Sequence, residues 1–201
     1  MYHIKEDARS LQSVEWLLVA LGELMKTAAF SQIKVVQLAA KAGLSRSTFY
    51  RNFDETEDLL RYMVDRDFSD LFAAVLGYYR EQTVSGKGFR TAFVVPFLRF
   101  WESRFRTVEL IVLAGRESFL LAAFGRHARK VLSLSENSNF LSDEAKEYFV
   151  AMRSGEAIGL LIYWVSQGRS LSQETLSNLV IAQTLESFDM DLNLRREPVD
   201  D

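Results

Sequence analysis

The chain has 201 residues, of which 48% are hydrophobic, and its formal net charge is -3. This length and apolar content suit a globular protein with one large domain, or with one small and one medium domain. The absence of cysteine excludes disulfide bonds and cysteine zinc sites and fits a reducing compartment. The N-terminal residues do not resemble a signal peptide, and no apolar run approaches the roughly 20 residues of a membrane-spanning helix. The sequence therefore predicts a soluble, cytoplasmic protein.

Basic residues are concentrated in one N-terminal segment. Between Lys26 and Phe53 there are five basic residues and no acidic one, although the whole chain is acidic. Such a segment is a candidate surface for DNA, but a run of like charge is also common on an ordinary solvated face. Charge alone leaves both interpretations open. The five residues are Lys26, Lys34, Lys41, Arg46 and Arg51.

Apolar residues recur at helical spacing along the chain, and with only two prolines and ten glycines there are few breaks. We therefore predict an all-α fold. The predicted N-terminal domain, residues 1–55, holds three helices, of which the first spans roughly 7–29. Two shorter helices at 35–42 and 46–52 are separated by Gly43, which suits a tight turn.

The predicted second domain, residues 56–190, is larger and also helical. Its first helix is long and connects the two domains, and its second contains Pro96, which we expect to kink it. A polar loop precedes the last two helices, and the charged C-terminal tail is expected to be frayed. The predicted helices span 56–82, 89–104, 108–114, 118–132, 142–168 and 172–190, the loop spans 133–139 and the tail spans 191–201.

The segment from Val36 to Phe53 has the spacing of a helix-turn-helix. Ala39 is small where the two helices approach closely, and Gly43 forms the turn. Apolar residues at 38, 44 and 49 face the shared core, which leaves the opposite face of the second helix free to reach DNA in a major groove. Six outward residues follow from this arrangement: Ser45, Arg46, Ser47, Thr48, Tyr50 and Arg51.

Residues Ala42 to Phe53 resemble the tetracycline-repressor (TetR) family, whose motif reads Ala-Gly-hydrophobic-Ser-x-x-Thr-hydrophobic-Tyr-x-x-Phe. The resemblance extends over residues 1–60. It implies a helix-turn-helix on double-stranded DNA and a helical C-terminal domain for ligand binding and dimerisation. A homodimeric repressor on a near-palindromic operator, responsive to a small apolar ligand, is the implied function. Tyr50 is implied as a phosphate contact, with Arg46 or Ser47 near the bases. The full predicted DNA-binding set is Lys26, Lys34, Ser45, Arg46, Ser47, Thr48, Tyr50 and Arg51.

The residues after the motif depart from the family pattern. Thr56 stands where the family frequently has a phosphate-binding lysine, and four acidic residues flank it. Acidic side chains suit a helix N-terminus, yet here they are predicted to lie near the path of a phosphate. We therefore expect weaker DNA binding unless Lys26 and Lys34 supply the missing charge. The four acidic residues are Asp54, Glu55, Glu57 and Asp58.

The C-terminal helices are rich in aromatic residues. The resemblance implies a ligand cavity among them, and the candidate ligand-binding residues are Phe97, Trp101, Phe119 and Trp164. Aromatic residues at helical spacing are more often plain core, so that alternative stays open. The small and apolar residues of the last two helices fit a dimer interface, or equally well packing within one chain.

Neither catalysis nor a bound metal is supported by any residue pattern. The chain lacks a zinc-protease motif, a glycine-rich phosphate loop, a cysteine nucleophile and a nucleophile elbow. His127 has no second ligand at metal-binding spacing on its helix, so we expect no metal and no cofactor. The alternative function is a regulator or adaptor of the same fold that acts through a protein partner without a small-molecule inducer. The acidic residues around Thr56 keep that alternative open.

Overall fold

The computed structural model describes the backbone of residues 1–5, 7–83, 89–133 and 142–194, and the side chains of these ranges outside 78–92 and 184–194. Regular structure in these ranges is helical, apart from an isolated antiparallel bridge between Tyr2 and Phe53. The predicted all-α fold is confirmed. The α-helices are α1 (Ala8–Leu24), α2 (Val35–Lys41), α3 (Arg46–Asn52), α4 (Thr56–Thr83), α5 (Phe89–Leu113), α6 (Ser118–Ser133), α7 (Asp143–Ser166) and α8 (Gln173–Leu194), with a 3-10 turn at Phe30–Gln32.

Helices α1, α2 and α3 pack around a small apolar core. The carboxylate of Asp7 begins α1 by accepting a hydrogen bond from the backbone N–H of Ser10 at 2.9 Å, as an N-cap residue does. The buried face of α1, which includes Leu17 and Leu21, belongs to the same hydrophobic cluster as the inner residues of α2 and α3. Helix α1 ends at Leu24, not near Ala29 as predicted, because residues 25–27 form a turn.

Helix α4 is the central element of the fold. It runs for 28 residues and packs against α1 on one side and against α5 and α6 on the other. Leu59, Phe68 and Leu71 on α4 are fully buried, and one hydrophobic cluster continues from α1 through α4 to α7. The long connecting helix is therefore confirmed, whereas the domain boundary at 55/56 stays a prediction.

Helix α5 is broken at Arg104, where the first of two predicted helices was expected to end, and the kink at Pro96 stays a prediction. The predicted helices 89–104 and 108–114 form one element in which Arg104 is non-helical, with φ -113° and ψ 17°. A buried carboxylate on α4 lies against this break. Asp67 is fully buried and accepts hydrogen bonds from Arg104 Nη1 at 2.9 Å and from Thr107 Oγ1 at 2.6 Å. These two bonds attach α5 to α4 at the break.

The C-terminal helices extend the layer formed by α4 and α5. Helix α6 packs along α7, while α5 contacts both α7 and α8. Helix α8 continues to Leu194, beyond the predicted end near Met190. Of the loop predicted at 133–139 and the tail predicted at 191–201, Ser133 and residues 191–194 are helical, and the rest lies outside the described residues. Across the part of the chain that the structure describes, no helix combines the length and hydropathy needed to span a membrane.

Candidate nucleic-acid interface

A tight turn joins α2 to α3. Gly43 adopts φ +69°, a left-handed conformation that strains residues with a side chain. The N–H of Leu44 donates to the carbonyl of Ala39 at 2.9 Å, which closes the end of α2. Ser45 then caps α3, since its Oγ accepts the backbone N–H of Thr48 at 3.1 Å. These local hydrogen bonds end α2 and begin α3 on either side of the turn.

The inner face of the helix pair is the predicted one. Leu38 and Phe49 are fully buried, Ala39 is 1% exposed, and Leu44 packs against the same cluster. The ring of Phe49 also contacts that of Phe53, with centroids 5.6 Å apart. These contacts fix which side of α3 faces solvent.

The outer face of α3 carries cations that have no partner among the described residues. Arg46 and Arg51 are exposed, and neither guanidinium takes part in an ion pair or a hydrogen bond with any described residue. Tyr50 is 55% exposed, with its ring held edge-on against Phe49. Thr48 is half-buried, and its Oγ1 lies 2.9 Å from Ser45 Oγ. The arginines and Tyr50 are thus the side chains most free to reach a ligand.

Serine and lysine residues of the predicted set are also exposed. Ser47 Oγ lies 2.8 Å from Ser45 Oγ. Lys34 precedes α2, and its ammonium group has no ion-pair partner among the described side chains. Lys26 Nζ lies 2.6 Å from Glu23 Oε1 in an exposed pair, and this hydrogen bond lowers the pKa of Glu23. Exposed pairs of this kind are weak, so Lys26 can exchange its partner. All eight DNA-binding assignments stay predictions.

Most of the acidic side chains around Thr56 are engaged within the protein. Asp58 is buried, and its Oδ2 caps α4 by accepting the backbone N–H groups of Asp54 and Glu55, both at 3.1 Å. Glu57 Oε1 accepts hydrogen bonds from Arg116 Nε at 2.8 Å and Nη2 at 2.6 Å. Asp54 Oδ1 lies 3.0 Å from His3 Nε2. These contacts reduce the repulsion expected between the acidic side chains and a DNA phosphate. Glu55 is the main remaining source of that repulsion.

The four predicted ligand-binding aromatics belong to one hydrophobic cluster or pack against it. Phe97, Trp101 and Trp164 are buried, whereas Phe119 is half-buried beneath the guanidinium of Arg61, which lies 4.1 Å from the ring centroid. Trp164 Nε1 donates to a backbone carbonyl of the α7–α8 loop at 2.9 Å. Trp101 is different, because its fully buried Nε1–H has no hydrogen-bond partner among the described residues. Their role in ligand binding stays a prediction.

A groove between α6 and α7 was not anticipated from the sequence. Its volume is about 430 Å³, within the range of small-molecule sites. Arg129 lies at one end and binds Glu147 through Nε and Nη2, at 2.8–2.9 Å. Gly125 lines the groove without a side chain, and a Cβ there would make ordinary contacts with Arg129 and Ser154. The groove is lined by Ser118, Leu121, Ala122, Gly125, Arg129, Val150, Ala151 and Ser154.

Comparison with known proteins gives one short sequence match. The chain is 35% identical over 60 residues to the HTH-type dhaKLM operon transcriptional activator DhaS of Lactococcus lactis subsp. lactis strain IL1403. The match covers 30% of this chain and 32% of the relative, so it spans about a third of that protein's length. No family model matches the chain.

Three solved structures share the fold over most of the chain. The dihydroxyacetone kinase operon activator DhaS has a TM-score of 0.58 and 21% identity, covering 89% of this chain and 97% of that one. Lin0861 from Listeria innocua has a TM-score of 0.68 and 15% identity, with coverages of 92% and 95%. The fatty acid degradation regulator FadR from Bacillus halodurans has a TM-score of 0.60 and 15% identity, with coverages of 88% and 94%. At these identities the likeness shows the fold.

These findings correct the sequence-based assignment to the tetracycline-repressor family. No model of that or any other family matches, and the similar proteins named as regulators are DhaS and FadR. Those proteins are described as transcriptional regulators and not as enzymes. What the comparisons support is therefore an all-helical regulator fold that begins with a helix-turn-helix.

Proposed function

We propose that this protein is a DNA-binding transcriptional regulator. The observation that carries the proposal is the outer face of α3, where Arg46 and Arg51 are exposed beside Tyr50 and pair with no described residue. Guanidinium groups bind guanine edges and phosphates, and a short helix behind a glycine turn fits a major groove. The likeness to an HTH-type activator over 60 residues supports the same function.

The proposed contacts divide into two kinds. Arg46 begins α3, and with Ser47 and Thr48 it would reach base edges, because the first turn of a recognition helix enters the groove most deeply. Tyr50 and Arg51 would hold the phosphate backbone. Ser45, Lys26 and Lys34 complete the proposed interface by adding a hydroxyl group and two positive charges around α3.

A mobility-shift assay tests the function directly. The protein is titrated into DNA from upstream of its own gene and into shuffled DNA of the same composition, at fixed salt, because phosphate binding depends steeply on salt. We expect binding of the upstream DNA at submicromolar protein and much weaker binding of the shuffled DNA. Equal binding of the two, or no binding at micromolar protein in low salt, would contradict the proposal.

We further propose that the protein is a homodimer on a near-palindromic operator, because one recognition helix reads only a few base pairs. Support comes from one exposed stripe on α7. Tyr148, Met152 and Tyr163 are each 66–67% exposed, and Gly155 and Gly159 between them have open space around their Cβ positions. Glycines allow two helices to approach closely, and the large apolar side chains beside them would be buried by that contact.

Replacing Gly159 with lysine is expected to convert the dimer to a monomer while the helix stays intact. A lysine side chain would separate the paired helices and place a charge between them, and its Cβ would have no atom within 4 Å in one chain. The matched control is Gly77→Lys on α4, also exposed and with open space around Cβ. Light scattering at micromolar protein measures the result. A wild-type monomer with and without DNA, or a dimeric Gly159→Lys variant, would contradict the interface.

A small, largely apolar ligand is proposed to lower operator affinity by favouring a different dimer geometry. The buried Nε1–H of Trp101 supports this, because an unsatisfied buried donor is costly and a ligand carbonyl would satisfy it. Phe97, Phe119 and Trp164 remain the other proposed ligand residues.

We propose repression as the sign of regulation, since a dimer on its operator can exclude polymerase by occupancy alone. Higher reporter expression after deletion of the gene would support this, and lower expression would contradict it.

The adaptor alternative loses its main support. It rested on acidic residues that would repel DNA, and Glu57 and Asp58 are engaged by Arg116 and by the start of α4. Failure of the mobility-shift assay would restore it.

A further inference from the structure

Residues 1–3 form a short strap across the end of α3. The N–H of His3 donates to the carbonyl of Asn52 at 2.8 Å, and the N–H of Asp54 donates to the carbonyl of Met1 at 3.2 Å. Between these bonds Tyr2 forms the antiparallel bridge with Phe53. Asn52 is the last residue of α3, so the strap holds the end of the helix that is opposite its Ser45 cap.

The side chain of Tyr2 anchors the strap to α4. Its hydroxyl donates to Asp65 Oδ2 at 2.8 Å, and its ring packs edge-on against Tyr62 with centroids 5.5 Å apart. Burial and the bond to Asp65 raise the pKa of Tyr2 to about 12. The hydroxyl therefore keeps its proton at neutral pH and remains a donor.

Asp65 also holds α6. Its second oxygen, Oδ1, accepts a hydrogen bond from Arg126 Nη2. One carboxylate on α4 thus receives the strap through Tyr2 and α6 through Arg126. A chain of three side chains connects the end of α3 to a helix of the C-terminal part.

We propose that Tyr2 is a positioning residue for α3, and that Asp65 and Arg126 connect that position to α6. This inference rests on the proposed DNA-binding function. Arg51 is adjacent to Asn52, so a shift at the end of α3 moves the guanidinium proposed to bind phosphate. Movement of α6 relative to α4 would shift the end of α3 through the contacts of Arg126, Asp65 and Tyr2.

The experiment is a double-mutant cycle with Tyr2→Phe, Arg126→Gln and the double variant, measured as operator affinity by fluorescence anisotropy. Each single variant is expected to lower affinity by about threefold to tenfold, the range of one lost hydrogen bond. The double variant is expected to lose no more operator affinity than the single variant with the larger loss, since both residues act through Asp65. Lys130→Gln, an exposed cation on the same helix, is the matched control and should bind as the wild type does.

A second readout does not depend on DNA. Amide hydrogen exchange at His3 and Asp54 is expected to accelerate in Arg126→Gln, although Arg126 touches neither residue, while exchange at Ala145, capped by Ser142, stays unchanged. Wild-type exchange at His3 and Asp54 in both single variants, or affinity losses that simply add, would overturn the inference. Absence of DNA binding by the wild-type protein would instead contradict the proposed function. Hydrogen exchange would still test whether Arg126 stabilises the strap.

Discussion

Replacing Arg46 with alanine is expected to lower operator affinity about tenfold to a hundredfold and to relax base preference at one position of each half-site. A well-placed arginine contributes about 1–3 kcal/mol of discrimination against a wrong base, and each 1.4 kcal/mol is about tenfold in affinity. Arg46 begins α3, is exposed, and has no partner among the described side chains. Its removal therefore leaves no group unsatisfied and should leave the thermal midpoint unchanged.

The comparison variant is Arg51→Ala on the same helix. Arg51 lies in the last turn of α3, where a phosphate contact is proposed, so its loss should weaken operator and random DNA alike and reduce the salt slope by about 1. Anisotropy titrations on both DNAs at two salt concentrations distinguish the proposed base contact of Arg46 from the proposed phosphate contact of Arg51. If Arg46→Ala weakened random DNA as much as the operator, its assignment to a base edge would be wrong.

The helix-turn-helix could be predicted from sequence because its determinants are local. Gly43 is needed for a positive φ, Ser45 for a cap, and Phe49 for the shared core, and all lie within a few residues of one another. The same fact explains why the family assignment was wrong. The motif reflects how two short helices pack against each other, and regulators with different C-terminal parts share that packing.

Interactions over long sequence separations could not be predicted. The sequence predicts that the acidic residues around Thr56 oppose DNA, but Glu57 is bound by Arg116, which lies 59 residues away in sequence. The helix end predicted at Arg104 coincides with the break, but the pattern does not show that Arg104 binds Asp67, 37 residues earlier. Helical spacing shows which side chains face inward, but it does not show which distant side chains they meet.

Replacing Asp67 with asparagine is expected to lower the free energy of unfolding by about 1.5–3 kcal/mol, the range for hydrogen bonds to a charged group. Asp67 is fully buried and accepts hydrogen bonds from Arg66, Arg104 and Thr107. Asn carries no negative charge and has one acceptor oxygen, so the arginine bonds weaken and an NH2 group replaces the carboxylate oxygen at one of the two positions. The loss should concentrate at α5, which supplies Arg104 and Thr107.

The matched control is Asp70→Asn, one turn further along α4. Asp70 Oδ2 lies 3.5 Å from Arg104 Nη2, and its side chain is 51% exposed, so solvent screens the pair and replacement should change stability by less than about 1 kcal/mol. Urea unfolding followed by circular dichroism measures both variants at equal protein concentration. Equal stability of the two would mean that Asp67 does not hold α5. A large loss for Asp67→Asn with faster amide exchange around residues 104–108 would place the effect at the break, because an overall loss of packing would accelerate exchange equally along α4 and α7.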